Sequence, residues 1–572
     1  MTVEDGVDDW VSRWLDARQA ACRATRIDGT ETEAMLESRL ACLEQRRRTL
    51  QVTLATWSSA EVSRGLTAHA EALLGRLPDL TDCSDPARLA EAEPLPAPGP
   101  ARDAILAGYD RLNQARAWIS VGEAERAEAI AVALTSDAAI VAHAPLRLEG
   151  EALRPQLDVT RGRIFAAVPR LIALAQEAEA HRLDVLAAEL RVDAAEAAAG
   201  RWMGGSAESF VVDEAETSVR RLARPREPLR PRLLHARAAL RLQAGDFAAA
   251  LDGFREAEAE AIALVQPDRV ERECWFIAAT LGRLGRHAEA RARLEAGRDQ
   301  AEQRWGPGAP LVGAFEFDLA VLALESGDLG AVDRHLEAAA AIAREAFGAD
   351  SLWSARIDYA RAKARLAEGA FAEALTLVER AYPIYERELG ADHELLAELH
   401  EARGVLRFFT GDLPGSLASY RAALTLARAT LGGEHPTIAR LSSNLGESQL
   451  ALGRLAEADE SFEAALAIYA RSLPPDHPEV ALPLKGRGQI ALATGRPARA
   501  VEDLERALAL QQRTGAEPLE IADLQFSLAQ AWSAADPKRR PEARALALAA
   551  REAFDTLALD DRVRTIDAWL RR

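Results

Sequence analysis

Between residues 231 and 534, small and larger apolar residues recur on one helical face at i, i+4 and i+7 spacing, and charged residues fill many of the other positions. In one example, Ala250 and Ala257 flank Phe254. This period is that of an amphipathic α-helix. Short segments that contain glycine interrupt it at regular distances, so the sequence predicts a series of helices joined by tight turns.

The turn glycines define an internal repeat. They follow one another by one step of 40 residues and then five steps of 42, and they are Gly245, Gly285, Gly327, Gly369, Gly411, Gly453 and Gly495. Seven residues before each glycine stands Ala or Gly, and nine residues after it stands a larger apolar residue. We therefore expect the two helices on either side of each turn to approach closely, with the larger side chain seated among small ones.

Composition favours the same fold class. Of the 572 residues, 49% are apolar, 28% are charged and only 5% are aromatic. Ala and Leu, which are abundant, have high helix propensity, whereas the sparse β-branched residues are enriched in strands. The sequence therefore predicts an all-α protein.

The arrangement of small, larger and small residues around a turn glycine resembles the tetratricopeptide repeat, a helix-turn-helix unit of about 34 residues. The longer period here and the linkers GADHELLA (390–397), LGGEHPTIA (431–439) and LPPDHPEVA (473–481) resemble the kinesin-light-chain subclass. The resemblance covers roughly residues 231–534. It implies a right-handed superhelix, an α-solenoid in which the first helix of each pair lines a concave face.

The pattern divides the chain into five segments. They are an N-terminal helical module (1–91), a Pro-rich linker (92–100), degenerate repeat-like helices (101–230), seven regular units of 40–42 residues with the start of an eighth (231–534), and a last helix with a C-terminal cap (535–572). Within the first module, helical patterns lie near 7–24, 30–56 and 60–76. Residues 145–199 predict two long helices.

The N-terminal module holds a second recognisable set of residues. The set is Trp10, Trp14, Cys22, Met35, Leu36, Ala41, Cys42, Leu43 and the segment LPDLTDCSD (77–85). It resembles the stretch that follows the catalytic domain in large myxobacterial-type serine/threonine kinases, where kinesin-light-chain-like repeats come next. The resemblance implies a regulatory or scaffolding role. The chain has no Gly-rich kinase loop and no HRD or DFG motif, so we expect no kinase activity.

Charge and cysteine content narrow the choice of partner and compartment. A net charge of -19 argues against electrostatic binding to nucleic-acid phosphates or anionic lipid. No run of about 18 apolar residues could cross a bilayer, and the N-terminus lacks the features of a signal peptide. The four cysteines have no metal-ligand spacing, and we interpret Cys22, Cys42 and Cys83 as buried thiols. These features predict a cytoplasmic protein with no membrane insertion and no nucleic-acid partner.

The sequence contains no recognisable catalytic, metal or cofactor site. The segment HELLAELH (393–400) has its second His seven residues after the first, whereas the zincin motif needs four. His393, His435 and His477 recur at one linker phase, but successive helix pairs lie about 10 Å apart, too far to share one ion. We expect these histidines to pack within the linkers, and we expect no enzyme activity.

The resemblance implies that ligands contact first-helix residues about ten and thirteen places before the turn glycine. In three successive repeats the position ten places before is aromatic, and arginines stand close by. The candidate site residues are His235, Arg272, Trp275, Phe317, Arg356, Tyr359, Glu401, Arg440, Ser443, Asn444 and Lys485. Two interpretations of the rings stay open: they line an open groove, or they pack inside the helix pairs. Kinesin-light-chain grooves have Asn at the ten-before position, where this chain has Ser443 followed by Asn444.

Two hypotheses for function follow from these candidates. In the first, the chain is a non-enzymatic scaffold in bacterial signalling that binds a protein or peptide with acidic and apolar side chains in its groove. In the second, it is a sensor for a small molecule or second messenger, bound in an Arg-lined pocket inside the solenoid. An extended groove would favour the first hypothesis, and one deep pocket with converging arginines would favour the second.

Overall fold

The computed structural model describes residues 3–58, 80–85, 89, 95–120, 123–160, 164–199, 206–222, 229–264, 266–514, 518–557 and 559–571. Within these ranges all regular structure is helical and no strand occurs, which confirms the all-α prediction. The chain forms two compact units, Met1–Ala364 and Arg365–Arg572. The five segment boundaries proposed from the sequence stay a prediction.

Unit 1 begins with helices α1 (Val3–Arg26) and α2 (Glu33–Trp57). They lie where the patterns at 7–24 and 30–56 predicted them, whereas the pattern at 60–76 lies outside the described residues. Their shared core contains Trp10, Trp14, Leu43 and Leu50. The Trp14 indole donates a hydrogen bond to the Leu43 carbonyl at 2.8 Å, which satisfies the polar atom of a buried ring.

The prediction that Cys22, Cys42 and Cys83 are buried thiols is wrong. Cys42 on α2 forms a disulfide with Cys83 in the 3₁₀ turn Thr81–Ser84, with a Cα–Cα distance of 5.5 Å. Cys22 is a free thiol and is only partly buried. The two bonded residues are 41 positions apart, and a tertiary contact of that range leaves no short-range spacing in the sequence.

The N-terminal helices continue into the array through α3 (Pro100–Ser120), which packs against α2. Arg48 forms a 2.5 Å salt bridge with Asp110. The buried Trp57 donates its indole N–H to the Ser120 hydroxyl at 3.2 Å and contacts Ala117. Ion pairing and apolar burial therefore hold α2 on the first helix that follows the Pro-rich segment.

The helices that follow α3 in unit 1 pack in sequence order. They are α4 (Ala124–Ser136), the short α5 (Ala138–Val141), α6 (Ala144–Thr160), α7 (Ile164–Ala180), α8 (Asp184–Ala199) and α9 (Ser206–Arg221). The prediction of two long helices over 145–199 is wrong, because three helices lie there. The second break falls at Arg182, which has a positive φ of 58°. A non-glycine residue in this conformation gives no turn signal in the sequence.

The regular array occupies the rest of unit 1 and most of unit 2. In unit 1 it comprises α10 (Arg230–Gln243), α11 (Phe247–Ala263), α12 (Pro267–Arg283), α13 (His287–Trp305), α14 (Pro310–Glu325), α15 (Leu329–Phe347) and most of α16 (Leu352–Ala367). In unit 2 it comprises α17 (Phe371–Leu389), α18 (Glu394–Phe409), α19 (Leu413–Leu431), α20 (Pro436–Ala451), α21 (Leu455–Ser472), α22 (Ala481–Ala493) and α23 (Pro497–Thr514). The turn glycines lie between the helices of each pair, as the sequence predicted.

All seven turn glycines have positive φ values, between 71° and 86°. Glycine adopts this left-handed conformation without the steric cost that other residues meet. A second set of glycines with positive φ, which includes Gly306 and Gly348, ends the second helices. Aspartate often starts the second helix: Asp328, for example, accepts the Ala331 backbone N–H at 3.1 Å.

The small residue before each turn allows the predicted close approach of paired helices. A Cβ atom added to Gly404 would lie 2.7 Å from the Tyr420 ring, and one added to Gly446 would lie 2.7 Å from the Phe462 ring. Phe462 is fully buried and also abuts Gly486 of the following helix pair. Glycine at these positions therefore provides the space that the larger side chains occupy.

Unit 2 ends with α24 (Pro518–Ala535), α25 (Arg540–Thr556) and α26 (Asp560–Leu570). These helices match the predicted eighth pair and cap closely. α26 packs on α25 through Val563 and Ile566, which contact a cluster that includes the buried Phe554. Its outer positions are charged, so α26 covers the apolar surface of the last pair.

Candidate partner-binding surface

The first helices of three successive repeats in unit 1 carry the aromatic candidates. Trp275 lies on α12, Phe317 on α14 and Tyr359 on α16. The Trp275 residue is 41% exposed, and Phe317 and Tyr359 are partly buried. Each ring thus combines packing against the protein with a surface that a partner can reach.

The neighbour of Trp275 takes the more enclosed packing position. Phe276 stacks on Phe254 with ring centroids 5.0 Å apart and meets His235 edge-on at 4.6 Å. Trp275 contacts Phe276 edge-on at 4.7 Å and remains exposed beyond it. Phe276 therefore supplies the helix-packing contact of this repeat and leaves the indole at the surface.

Arg356 covers two aromatic rings on neighbouring helices. Its guanidinium carbon lies 5.2 Å from the centroid of Phe317 and 4.7 Å from that of Trp353. The two rings meet edge-on at 6.0 Å. Arg356 itself is exposed, so these cation–π contacts fix the position of a guanidinium whose donors still face solvent.

A second cation lies one helical turn beyond Tyr359. The ammonium nitrogen of Lys363 is 4.5 Å from the Tyr359 ring centroid, and Lys363 is exposed. Neither Lys363 nor Arg356 forms a salt bridge with any residue that the structure describes. Exposed positive charge therefore lies beside aromatic rings on the surface formed by Trp275, Phe317, Arg356, Tyr359 and Lys363, here called the aromatic–cation surface.

Arg272 lies on α12 beside a separate cluster of buried charges. The Glu196 carboxylate on α8 binds Arg232 at 2.5 Å and Arg269 at 2.9 Å, and Arg272 stands 4.0 Å away. Arg232 also binds Asp193 at 2.6 Å. Burial raises the pKa of Glu196, but the three guanidinium groups outweigh it and lower the pKa to about 2. The Arg272 side chain is 46% exposed and is the one of the three arginines that a partner can reach directly.

Asp318 lies among the aromatic–cation residues and carries an unusual proton affinity. Burial raises its pKa to about 7, whereas the charge of Arg356 and a hydrogen bond from the Trp275 indole act to lower it. Near neutral pH this carboxyl group is therefore a mixture of its neutral and charged forms. Its charge state changes the electrostatic field between Trp275 and Arg356.

His235 lies outside this surface. It is 3% exposed, and its Nδ1 atom lies 2.9 Å from the Glu273 carboxylate. Phe254 and Phe276 enclose the imidazole ring. The ten-before position of this repeat therefore supports the packing of α10 on α12.

In unit 2 the candidate charges pair with other residues of the chain. Glu401 accepts hydrogen bonds from Arg440, by a short contact, and from the Asn444 amide at 3.4 Å. Lys485 forms a 3.1 Å salt bridge with Glu447. These side chains form two polar groups on first helices, and their charges are already compensated.

Ser443 is 1% exposed, and its hydroxyl donates to the Ala439 carbonyl at 2.9 Å. The residue is therefore part of the helix packing and is not accessible to a partner. Asn444, one position later, is only partly buried and faces Glu401.

The repeated linker histidines are helix caps. The Nδ1 atoms of His393, His435 and His477 accept backbone N–H groups two residues further on, at 3.1, 3.2 and 3.4 Å. The expectation of a structural role within the linkers is confirmed. Each imidazole satisfies a donor at the start of a first helix or of the turn that leads into it.

Several residues at or beside this surface could not be identified from the sequence. Trp353 and Lys363 stand at repeat phases other than ten and thirteen before the glycine, and Asp318 follows a candidate directly. Lys363 had one signal, because it is one of very few lysines in an Arg-rich chain. The cluster around Glu196 had none, since its members come from three separate helices.

The described residues offer no constellation with an obvious chemical function. Across those residues, no three His, Cys, Asp or Glu side chains gather in a way that could hold a metal ion. No described helix combines the length and apolar character needed to span a membrane. The most distinctive surface features are thus the aromatic–cation surface and Arg272.

Comparison with known proteins supports the repeat assignment. A sequence model of the family described as tetratricopeptide repeat matches residues 353–429, 395–471 and 437–513. No curated protein matches the sequence.

Several solved structures are similar to parts of the chain. A Podosopora anserina structure of nearly identical kinesin-light-chain TPR-like repeats is 25% identical, covers 35% of this chain and 95% of its own, and gives a TM-score of 0.29. BtubC from P. vanneervenii is 18% identical over 46% of this chain and 92% of its own, with a TM-score of 0.29. The APC/C tetramer Cut9–Hcn1 is 12% identical over 91% of this chain and 99% of the other, with a TM-score of 0.42. The family match thus assigns tetratricopeptide repeats to residues 353–513.

Proposed function

We propose that this protein is a non-enzymatic interaction scaffold whose aromatic–cation surface binds a segment of a partner protein. The observation that carries the proposal is the exposure of Trp275, at 41%, on the same surface as the exposed Arg356, which lies over the Phe317 ring. Tetratricopeptide repeats generally mediate protein–protein contacts, which fits this role. The partner segment carries acidic and apolar or aromatic side chains.

The rings supply most of the binding energy in this proposal. Trp, Tyr and Arg are enriched among the interface residues that dominate affinity, because they bury a large area with little loss of side-chain entropy. Trp275 and Phe317 are held by neighbouring rings, so few rotamers are lost on binding. A partner's apolar side chain can cover the indole face that water now contacts.

The cations select the sign of the partner's charge. Arg356 is exposed and oriented by its aromatic neighbours, and its guanidinium can accept a carboxylate in a bidentate manner. Arg272 adds a second exposed guanidinium at the Trp275 end. The net charge of the whole chain, -19, disfavours polyanions such as nucleic acid, so recognition of isolated carboxylates on a peptide fits better.

The setting of this function is also part of the proposal. The resemblance of residues 1–85 to the segment that follows myxobacterial-type kinase domains suggests a partner in bacterial signalling. We place the interaction in the cytoplasm. In such a scaffold the surface changes a partner's state or location only by binding one form of it more tightly than another.

The sensor hypothesis predicts arginines that converge on a free pocket. Arg232, Arg269 and Arg272 do converge, but Glu196 and Asp193 already accept their hydrogen bonds and ion pairs. An anionic small molecule would have to displace these carboxylates. The scaffold function is therefore the better-supported of the two.

Selection of a random twelve-residue peptide library on the full chain tests the proposal. We expect enriched peptides to combine acidic with aromatic or apolar residues, and the affinity of a selected peptide to fall at least tenfold in Trp275→Ala and in Arg356→Ala, as expected for hot-spot residues. Phe210→Ala is the matched control, because Phe210 is 60% exposed in the same unit but lies on α9.

Circular dichroism of each variant checks that the fold persists. Peptides without acidic residues, or equal affinity for wild type and both surface variants, would reject the aromatic–cation surface as the binding site. Calorimetry with nucleotides addresses the sensor hypothesis in the same preparation.

A further inference from the structure

We propose that the Cys42–Cys83 bond is a redox-controlled clamp, which fastens residues 80–85 to α2 and opens by thiol–disulfide exchange with glutathione. This proposal is independent of the partner-binding surface. It concerns the N-terminal module alone, and it assigns a regulatory role to two cysteines that the scaffold function does not use.

The clamp joins two parts of one small core. Cys83 is 1% exposed and lies with Leu80 against Trp10, Trp14 and Leu43. A second tie runs beside the bond: the Arg39 side chain donates to the Cys83 carbonyl at 3.3 Å and binds Glu31 at 2.8 Å. The covalent bond and the Arg39 contact therefore both attach the turn at Thr81–Ser84 to α2.

The bond also limits the unfolded chain. It closes a loop between residues 41 positions apart, so reduction restores conformational freedom to the whole intervening segment once the module opens. In the oxidised protein the turn cannot separate from α2 without unfolding of the helix around Cys42. In the reduced protein the Arg39 contact and apolar packing still oppose that separation, without the covalent bond.

The two sulfur atoms differ in accessibility, which gives the exchange a direction. Cys42 is partly exposed, whereas Cys83 is buried. An incoming thiolate must reach a sulfur along the axis of the bond, so attack at Cys42 is favoured. Cys83 is then the leaving group, and its thiol remains within the core around Trp10 and Leu43.

The reaction balances with glutathione as the redox partner. A glutathione thiolate attacks the Cys42 sulfur, a mixed disulfide forms, and the Cys83 thiolate leaves and takes up a proton. A second glutathione thiolate attacks the glutathione sulfur of the mixed disulfide and releases the Cys42 thiol together with glutathione disulfide. The reverse sequence closes the clamp. Stable structural disulfides are rare in a reducing cytoplasm, so a bond that follows the glutathione pool fits a sensor there.

Thiol counting on the full chain tests the bond itself. After equilibration with glutathione disulfide and denaturation, iodoacetamide should leave Cys42 and Cys83 unmodified; after excess reduced glutathione, it should modify all four cysteines. Peptide mapping should show Cys42 joined to Cys83. Four reactive thiols in the oxidised sample, or a bond between another pair, would overturn the proposal.

Matched single variants test the direction of exchange. Both variants also carry Cys22→Ser, and the other free cysteine, Cys274, is only 5% exposed. Cys83→Ser then leaves the accessible Cys42 thiol, whereas Cys42→Ser leaves the buried Cys83 thiol. We expect the folded Cys83→Ser variant to form a mixed disulfide with glutathione disulfide about tenfold faster than the folded Cys42→Ser variant. Equal rates would contradict the assigned entry point and reject the proposed exchange.

Thermal unfolding then tests the clamp. We expect the oxidised wild type to melt several degrees above the reduced one, and the double variant Cys42→Ser/Cys83→Ser to melt like the reduced wild type under both conditions. Cys22→Ser is the control and should keep the redox-dependent difference. A wild type whose melting temperature is unchanged by reduction would reject the clamp.

Discussion

Single glycine residues set the distance between paired helices. In unit 2, Gly404 faces the ring of Tyr420, and Tyr420 is 3% exposed, so the ring has little room to move. The position seven residues before the turn glycine carries only Ala or Gly in all seven repeats, and the sequence alone indicated this close approach.

Gly404→Ala should destabilise the protein. Alanine normally favours a helix over glycine by about 1 kcal/mol, but an added Cβ 2.7 Å from the Tyr420 ring should cost about 1–3 kcal/mol in overpacking. Gly150→Ala on α6 is the control, since its nearest neighbour would be 3.4 Å away. Denaturant unfolding measures the free energy of unfolding of both variants. If Gly404→Ala were as stable as Gly150→Ala, the helix pair α18 and α19 would be able to relax around the added methyl group.

Asp318 makes stability depend on pH in a defined direction. Its pKa of about 7 in the folded chain is above the ordinary value of 3.8, so the folded state holds a proton that the unfolded state releases. Folding is therefore penalised progressively as the pH rises from about 4 to about 7, and the penalty stays constant above that range.

Asp318→Asn should remove this penalty. We expect the variant to melt at a higher temperature than wild type at pH 8 and to lose most of that advantage near pH 5. The control is Asp252→Asn, whose side chain is 81% exposed. The melting temperatures of wild type and both variants are measured between pH 5 and pH 8. A difference between Asp318→Asn and wild type that does not vary with pH would contradict the role of Asp318.

The candidate residues were only partly predictable from the repeat phase. The phase placed Trp275, Phe317 and Tyr359 on accessible first helices, but it also selected His235 and Ser443, which are buried. The phase fixes the direction of a side chain from its own helix axis. It does not describe the neighbouring ring or carboxylate that covers the side chain, as Glu273 does for His235.

At the scale of helices, boundaries followed the sequence where glycine or proline marks the turn. The pairs from α10 onward lie where the glycine spacing placed them, and Pro541 stands in the first turn of α25. The extra break between α7 and α8 passes through Arg182, which a sequence pattern reads as one more helical residue. The helices before residue 230 were therefore harder to define.

Ion pairs between separate helices are another feature that the sequence could not predict. Glu196 on α8 meets arginines from α10 and α12, and no spacing in the sequence relates these positions. Because its pKa is lowered to about 2, the carboxylate contributes stability that is present at neutral pH and is lost as the pH falls from about 4.5 towards 2.

Glu196→Gln should therefore destabilise unit 1 strongly at pH 7. Loss of the carboxylate leaves the partly buried Arg269 without this partner and Arg232 with Asp193 alone, and removal of one partner of a buried ion pair typically costs about 3–5 kcal/mol. The matched surface control is Glu434→Gln, whose ion pair with Arg471 is well exposed and should matter little. Denaturant titrations at pH 7 compare the two, and equal stabilities would refute a cooperative charge cluster.

Over the whole chain, the repeat accounts for the fold and the exposed helix faces account for the proposed function. The all-α class and the run of helix pairs could be predicted because short-range spacing determines both. The Cys42–Cys83 bond could not, because residues 80–85 meet α2 only after folding. Likewise, Arg356 in unit 1 and Arg440 in unit 2 both stand thirteen places before a turn glycine, but Arg356 lies over aromatic rings whereas Arg440 pairs with Glu401.

Deletion of α26 should destabilise the end of the array. Phe554 on α25 is 1% exposed, and Ile566 on α26 is fully buried in the same apolar cluster, so removal of residues 559–571 would uncover the part of this cluster that α25 contributes. We expect a lower melting temperature and concentration-dependent aggregation, followed by circular dichroism and light scattering. Arg564→Ala, on the exposed side of the same helix, should leave both readings unchanged.

The position of Phe462 has a consequence for how such arrays can be rebuilt. Its ring occupies space left by Gly446 in its own helix pair and by Gly486 in the next one. A hairpin transplanted from elsewhere would bring a bulkier residue to one of these places or leave a void at the other. Recombination of these repeats, in the laboratory or during evolution, should therefore succeed when neighbouring hairpins are exchanged together and fail when one is inserted singly.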